Sequence, residues 1–132
     1  MGSNLKEMAE ALIPLSDLVI GKAQSSWVEY KVESGTCFGF GLFKQDEVAV
    51  QRVFLSKGTI FPEHMHSCWE YLIVYKGNLQ HCIGNDAKNL GPTNYVTISP
   101  GMTHAGKAKE DTWLIAITIP AGKGYPNGST QI

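Results

Sequence analysis

The chain has 132 residues, of which 43% are hydrophobic and 17% charged, and its formal net charge is -1. This length suits one hydrophobic core, and a nearly neutral chain gives no electrostatic reason to bind nucleic acid or an anionic membrane. No apolar run approaches the ~20 residues of a membrane helix, and the early charges at Lys6, Glu7 and Glu10 do not resemble a signal peptide. We therefore expect a cytoplasmic protein whose partners are small molecules or proteins.

The first predicted element is a short amphipathic helix. Apolar residues recur with helical spacing from Leu5 to Ile13, Asn4 stands at the position of an N-cap, and Pro14 is placed to end the helix. The apolar stripe could pack on the domain itself or on a second subunit. We assign residues 1–20 to this N-terminal helical segment.

After Gly21 the pattern changes to short apolar runs separated by turn signals. Runs rich in β-branched and aromatic residues include 71–75, 79–83, 95–98 and 113–119. Many short strands without a second helical segment predict an all-β sandwich or barrel, which we assign to residues 21–120. Residues 121–132, rich in glycine, are expected to form a surface loop or tail.

The stretch HMHSCWE, residues 64 to 70, contains candidate metal ligands. In a strand, His64 and His66 would point to one face, and Glu70 has the same parity. Two imidazoles and a carboxylate suit a divalent first-row transition metal, whereas calcium and magnesium prefer mainly oxygen ligands. His104 could supply a fourth ligand. The alternative is that these are exposed turn histidines and a carboxylate at the rim of the fold.

The same residues resemble the first motif of the cupin superfamily. Its spacing is matched without a gap by Gly58, His64, His66, Glu70 and Gly77.

The second cupin motif is matched only in part. Gly101 and His104 occupy their expected positions, but other residues stand where the motif has glycine, proline and asparagine, namely Thr93, Ser99 and Ala108. The resemblance covers roughly residues 45 to 120.

The resemblance implies a double-stranded β-helix, a jelly-roll-like barrel, with His64, His66, Glu70 and His104 lining its interior as ligands of one metal ion. The ion would be iron, manganese, zinc, nickel or copper. Four protein ligands on an octahedral ion would leave two positions open to water, oxygen or substrate.

Two classes of function remain open at this point. One is a metal-dependent enzyme acting on a small molecule, either a dioxygenase or an isomerase or lyase. The other is a non-enzymatic module that binds or senses a small ligand. The fold does not choose between them.

Three residues are candidates for the substrate pocket. Gln51 shares a parity with the apolar residues of its predicted strand, and Phe61 could form a wall of the pocket. His81 shares a face with Leu79 and Ile83, so it could hydrogen-bond a ligand or act as a catalytic acid or base, because its unperturbed pKa is about 6.5. It could equally point outward or bond to the backbone.

Three further predictions concern the cysteines, the single arginine and the oligomeric state. Cys68 could bind a soft metal or be a small buried hydrophobe, and the three cysteines form no disulfide framework. Arg52 has the opposite parity to Gln51, Val53 and Leu55, so its side chain is expected on the outer face of the strand. A guanidinium clamp on a substrate is therefore doubtful. Because cupins often pair through strands, the resemblance implies a homodimer.

Overall fold

The computed structural model describes residues 27–45 and 47–121, which form ten β-strands. The strands are β1 Trp27–Tyr30, β2 Cys37–Gln45, β3 Val48–Leu55, β4 Ile60–His64, β5 Trp69–Lys76, β6 Leu79–Ile83, β7 Asp86–Leu90, β8 Tyr95–Ile98, β9 His104–Ala108 and β10 Thr112–Ile119. The predicted N-terminal helix lies outside the described residues, and so does nearly all of the predicted tail. Over these two ranges there is no long apolar helix of the kind that crosses a membrane.

Alternation of side chains determines which face of each strand is buried. In β10, Thr112, Leu114, Ala116 and Thr118 are buried, while the residues between them are partly exposed. β5 alternates in the same way from Trp69 onward. This period of two is the pattern of a sheet with one face on the core and one toward solvent.

The strands form two antiparallel sheets. The larger has the order β1-β2-β3-β10-β5-β8 and the smaller the order β4-β9-β6-β7. Their inner faces enclose the core, to which both sheets contribute apolar side chains such as Val74, Leu114, Leu79 and Ala108. The all-β fold predicted from the short apolar runs is therefore confirmed.

The register of the strands fixes which side chains meet inside. In the smaller sheet, His64 on β4 pairs with His104 on β9, just after an irregularity that follows Phe61. In the larger sheet, Thr118 on β10 pairs with Glu70 on β5. Residues directly opposite on one face have their Cβ atoms about 5 Å apart, so both pairs are in side-chain contact range.

Candidate metal centre

Three histidines from different parts of the chain meet between the two sheets. His64 ends β4, His66 lies in the connection from β4 to β5, and His104 begins β9. One ring nitrogen from each comes within 4.8 Å of the others. Such a convergence of imidazoles is an arrangement that can hold a metal ion.

The strand-like alternation continues past the end of β4. Met65 is 58% exposed, whereas His66 is only 8% exposed and points inward. His64 and His66 therefore share the inner face, as the sequence predicts, although His66 is not itself in a strand.

Glu70 enters the same region from the larger sheet. Its Oε1 lies 3.2 Å from Nε2 of His66 and 3.8 Å from Nε2 of His104. The carboxylate is not a member of the tight cluster of three histidines, but it contacts two of them. The four predicted ligands thus lie together, with Glu70 on the side of His66 and His104.

Hydrogen bonds to the backbone orient two of the imidazole rings. Nδ1 of His64 lies 2.8 Å from the carbonyl oxygen of Pro62, and Nδ1 of His66 lies 3.2 Å from that of Cys68. Because a carbonyl oxygen can only accept, each Nδ1 carries a hydrogen, which leaves Nε2 of His64 with a lone pair. Nε2 of His66 donates to the carboxylate of Glu70, so His66 has to give up this proton when it binds a metal. Metal-binding histidines are commonly held in this way.

His104 is oriented by another histidine. Its Nε2 lies 3.3 Å from Nε2 of His66, and its Nδ1 lies 3.3 Å from Nε2 of His81 on β6. If Nδ1 of His104 donates to His81, Nε2 of His104 is left with a lone pair facing the cluster. His81 is 4% exposed, so its ring faces the interior and not solvent.

The electrostatics of the site favour neutral imidazoles at two of the three positions. Burial, together with the neighbouring His64, His81 and His66, lowers the pKa of His104 to about 3. Burial also lowers the pKa of His64. The pKa of His66 is raised, mainly by its hydrogen bond with Glu70. Since a metal binds the unprotonated ring, His64 and His104 need not lose a proton at neutral pH.

The spacing of the donor atoms fits a first-row divalent ion. With metal–nitrogen bonds of about 2.0–2.1 Å, neighbouring ligand atoms lie about 3 Å apart. The distances from Nε2 of His66 to Glu70 Oε1 and to His104 Nε2 are 3.2 and 3.3 Å. Around His66 the donor atoms are therefore spaced as the ligands of such an ion would be.

Cys68 lies beside the cluster but on its outer side. Its Sγ is 3.6 Å from Nδ1 of His66, the nitrogen that faces away from the other donor atoms. Cys68 is 4% exposed, and burial raises the pKa of its thiol. This position favours the reading of Cys68 as a small buried side chain over that of a metal ligand.

A cavity of about 90 Å³ adjoins the histidines, several times the space that one water molecule needs. Its walls come from both sheets and are mainly apolar, as at Val53, Leu72, Leu79 and Leu114.

The three residues predicted for the substrate pocket, Gln51, Phe61 and His81, all line this cavity. Tyr30 and Thr118 line it as well, and neither was predicted. The alternation of β10 carried the signal for Thr118, because Leu114 and Ala116 have the same parity. Tyr30 had no comparable signal, since the sequence does not show which strand crosses over Gln51.

No protein-family model matches this chain, and no curated protein does either. Solved structures, by contrast, resemble it closely in fold. KdgF from Halomonas sp. has a TM-score of 0.65 at 17% identity, over 73% of this chain and 90% of that protein. An RmlC-like cupin from Shewanella frigidimarina has a TM-score of 0.67 at 18% identity, over 77% of this chain and 89% of its own.

A predicted oxalate decarboxylase from Thermotoga maritima is similar to the same extent. Its TM-score is 0.66 at 13% identity, over 78% of this chain and 99% of that protein. Identities this low establish the fold and leave the reaction open. Together with the two antiparallel sheets, these similarities show that the protein has the RmlC-like cupin fold, as the spacing of the histidine motif predicts.

Proposed function

We propose that the protein binds one transition-metal ion through His64, His66, Glu70 and His104 and acts as an enzyme on a small molecule. The observation that carries this proposal is the cluster of three histidine nitrogens beside a mainly apolar cavity. A closed structural zinc site would more commonly include cysteine and have no cavity beside it. The ion is iron, manganese, zinc, nickel or copper, all of which accept imidazole and carboxylate ligands.

The reaction would be that of a dioxygenase or of a metal-dependent isomerase or lyase. When bound, the ion would supply a Lewis acid that polarises an oxygen atom of the substrate. The chain's own contribution is to orient the rings of His64 and His66 through the carbonyls of Pro62 and Cys68. The apolar walls would exclude water, which strengthens electrostatic interactions in the site.

A module that binds or senses a ligand is the second candidate. It is supported by the scarcity of groups that could move a proton at neutral pH. Among the lining residues outside the proposed ligand set, Tyr30, Cys37 and Cys68 have a pKa raised by burial. The remaining titratable group is His81, and burial lowers its pKa. A cavity of this kind could bind a small molecule without converting it.

Turnover by metal-loaded protein separates the two candidates. Chelator-treated protein would be loaded with each of the five ions in turn and offered a panel of small hydroxy, oxo and carboxylic compounds. For the enzyme we expect consumption of oxygen, or conversion of a compound seen by NMR, with one ion far ahead of the others. Tight binding of a compound without conversion under any ion would favour the module instead.

His81 is proposed to position His104, because the two rings contact each other through Nε2 and Nδ1. We expect His81→Leu to weaken metal binding by roughly 10- to 100-fold, the usual cost of losing the outer partner of a ligand. His81→Gln should restore most of the affinity, since its amide oxygen can accept from Nδ1. Competition with a chelator measures both; equal affinities for the two variants would contradict the role. The role of His81 as a catalytic acid or base stays a prediction.

We also propose a homodimer. Large side chains are exposed on the larger sheet at Trp69, Tyr75 and Tyr95, which are 44%, 43% and 67% exposed. Aromatic residues are enriched in protein interfaces, so this surface suits a second copy of the chain. We expect static light scattering to give twice the mass of one chain at micromolar concentration, and the mass of a single chain would contradict the proposal.

A cytoplasmic location is proposed on the basis of the cysteines. Cys37, Cys68 and Cys82 are all free, and Cys37 and Cys68 are buried. Free thiols persist in reducing compartments, whereas exported proteins tend to oxidise them. Fractionation of the source cells would check this.

A further inference from the structure

Two buried polar side chains line the wall of the cavity formed by the larger sheet. Gln51 on β3 is 2% exposed and Thr118 on β10 is 1% exposed. Gln51 lies opposite Ala116, and Thr118 lies opposite Glu70. Gln51 and Thr118 are therefore diagonal neighbours on one face, with their Cα atoms about 7–8 Å apart. Thr118 lies beside the proposed metal ligand Glu70.

The amide of Gln51 is held in a fixed orientation. The hydroxyl of Tyr30 donates a hydrogen bond of 2.8 Å to Oε1 of Gln51. This bond identifies the oxygen end of the amide. The other end, Nε2, has two N–H groups that can donate to a ligand.

Gly39 makes room for this contact. A Cβ atom at Gly39 would come within 2.5 Å of a ring carbon of Tyr30 and would also meet Oε1 of Gln51. The hydrogen bond between Tyr30 and Gln51 thus passes over β2 at Gly39, which has no side chain. Tyr30 on β1 can therefore reach Gln51 on β3. Tyr30 acts here as a positioning residue for the amide.

Thr118 carries a buried hydroxyl without a partner. Within the described part of the chain, its Oγ1 makes no hydrogen bond, although the residue is almost completely buried. Buried polar atoms are nearly always paired, and an unpaired one is costly. Because Thr118 lines the cavity, a bound molecule that reaches this hydroxyl would supply the missing partner.

No positive charge accompanies these two polar groups. The residues that line the cavity include neither lysine nor arginine. Arg52, the only arginine in the sequence, is exposed and lies over the rings of Phe40 and Trp113, at 5.8 and 5.6 Å from their centroids. A ligand carboxylate placed beside Gln51 and Thr118 would therefore lose its hydration without gaining a counter-charge.

We propose that Gln51 and Thr118 form a subsite for an uncharged oxygen, a hydroxyl or carbonyl, of a small ligand whose carboxylate end reaches the histidine cluster. The carboxylate end rests on the proposed function, because a metal ion held by the histidine cluster would accept a carboxylate as a further ligand. The rest of the cavity has apolar walls, as at Leu72 and Leu114, which suit the hydrocarbon part of the ligand. The substrate class is thus a small hydroxy or oxo monocarboxylic acid, and dicarboxylic acids are disfavoured.

Three compounds of equal chain length test this subsite: butyrate, 4-hydroxybutyrate and succinate. Calorimetric titration would use zinc-loaded protein, because zinc has no redox chemistry. We expect 4-hydroxybutyrate to bind about tenfold more tightly than butyrate, since a hydroxyl that leaves water gains only if it finds a partner. Succinate should bind no more tightly than butyrate.

The Thr118 variants provide the matched comparison. Thr118→Val, which keeps the shape, should lose most of the preference for the hydroxyl compound, and Thr118→Ser should keep it. Thr118→Val should also raise the melting temperature of metal-free protein by about 4 °C, because it removes an unpaired buried hydroxyl.

A parent protein without preference for 4-hydroxybutyrate over butyrate would overturn the subsite, and so would a preference that survives in Thr118→Val. Repeating the titrations on chelator-treated protein separates this proposal from the metal site. If the protein does not bind zinc, but the chelator-treated protein still prefers 4-hydroxybutyrate to butyrate, the proposed function fails and the subsite stands.

Discussion

His66→Ala is expected to abolish stoichiometric metal binding, with a loss of affinity of more than about 100-fold, because loss of an outer partner alone costs 10- to 100-fold. His66 is central to the donor set, since its Nε2 lies 3.2 Å from Oε1 of Glu70 and 3.3 Å from Nε2 of His104. Its removal therefore takes away one ligand and the contact partner of two others. Elemental analysis of protein purified without a metal-affinity step, and again after reconstitution, measures the metal content per chain.

Neighbouring exposed residues supply matched controls for this experiment. Met65 precedes His66 and points to solvent, so Met65→Ala should bind the metal as the parent does. Glu63 is exposed on β4, so Glu63→Gln removes the same charge as Glu70→Gln without touching the cluster. We expect Glu70→Gln to weaken binding and Glu63→Gln to leave it unchanged. A folded His66→Ala variant that keeps one ion per chain would refute the proposed ligand set.

The shared face of His64 and His66 could be predicted because a strand sends every second side chain to the same face, whereas the place of His104 beside them was implied by the cupin resemblance. His64 and His66 have that spacing, and Met65 between them points outward. The same rule placed Gln51 and His81 among the candidates for the interior, and both are buried. Local alternation is short-range information, and for that reason a single sequence carries it well.

Contacts between strands distant in sequence could not be predicted in this way. Tyr30 reaches Gln51 across β2, which depends on the order of the strands and on the absence of a side chain at Gly39. The hydrogen bond between His81 and His104 depends on the register of β6 against β9. Neither the order nor the register of strands follows from alternation alone, so these partners required the three-dimensional structure.

Gly77→Ala is expected to lower the free energy of unfolding by about 3 kcal/mol, from the sum of two penalties. Gly77 has φ of +98°, a conformation that costs a residue with a Cβ atom about 1–2 kcal/mol. The added Cβ would also meet the backbone at Asp111 and lie 2.7 Å from Cα of Thr112. Thr112 cannot easily shift, because its buried hydroxyl donates to the carbonyl oxygen of Glu110 and accepts from the backbone N–H of Asn78.

Gly58, the first glycine of the same motif, separates the two penalties. It has φ of +87°, but a Cβ atom there would meet nothing within 4 Å. Gly58→Ala should therefore cost only the backbone strain, about 1–2 kcal/mol, and urea unfolding of the two variants should differ by the overlap at Gly77. Equal losses would mean that the turn at Thr112 yields at little cost. The larger loss at Gly77 would show that this motif position is constrained by packing against the start of β10, whereas the position of Gly58 is constrained by backbone conformation alone.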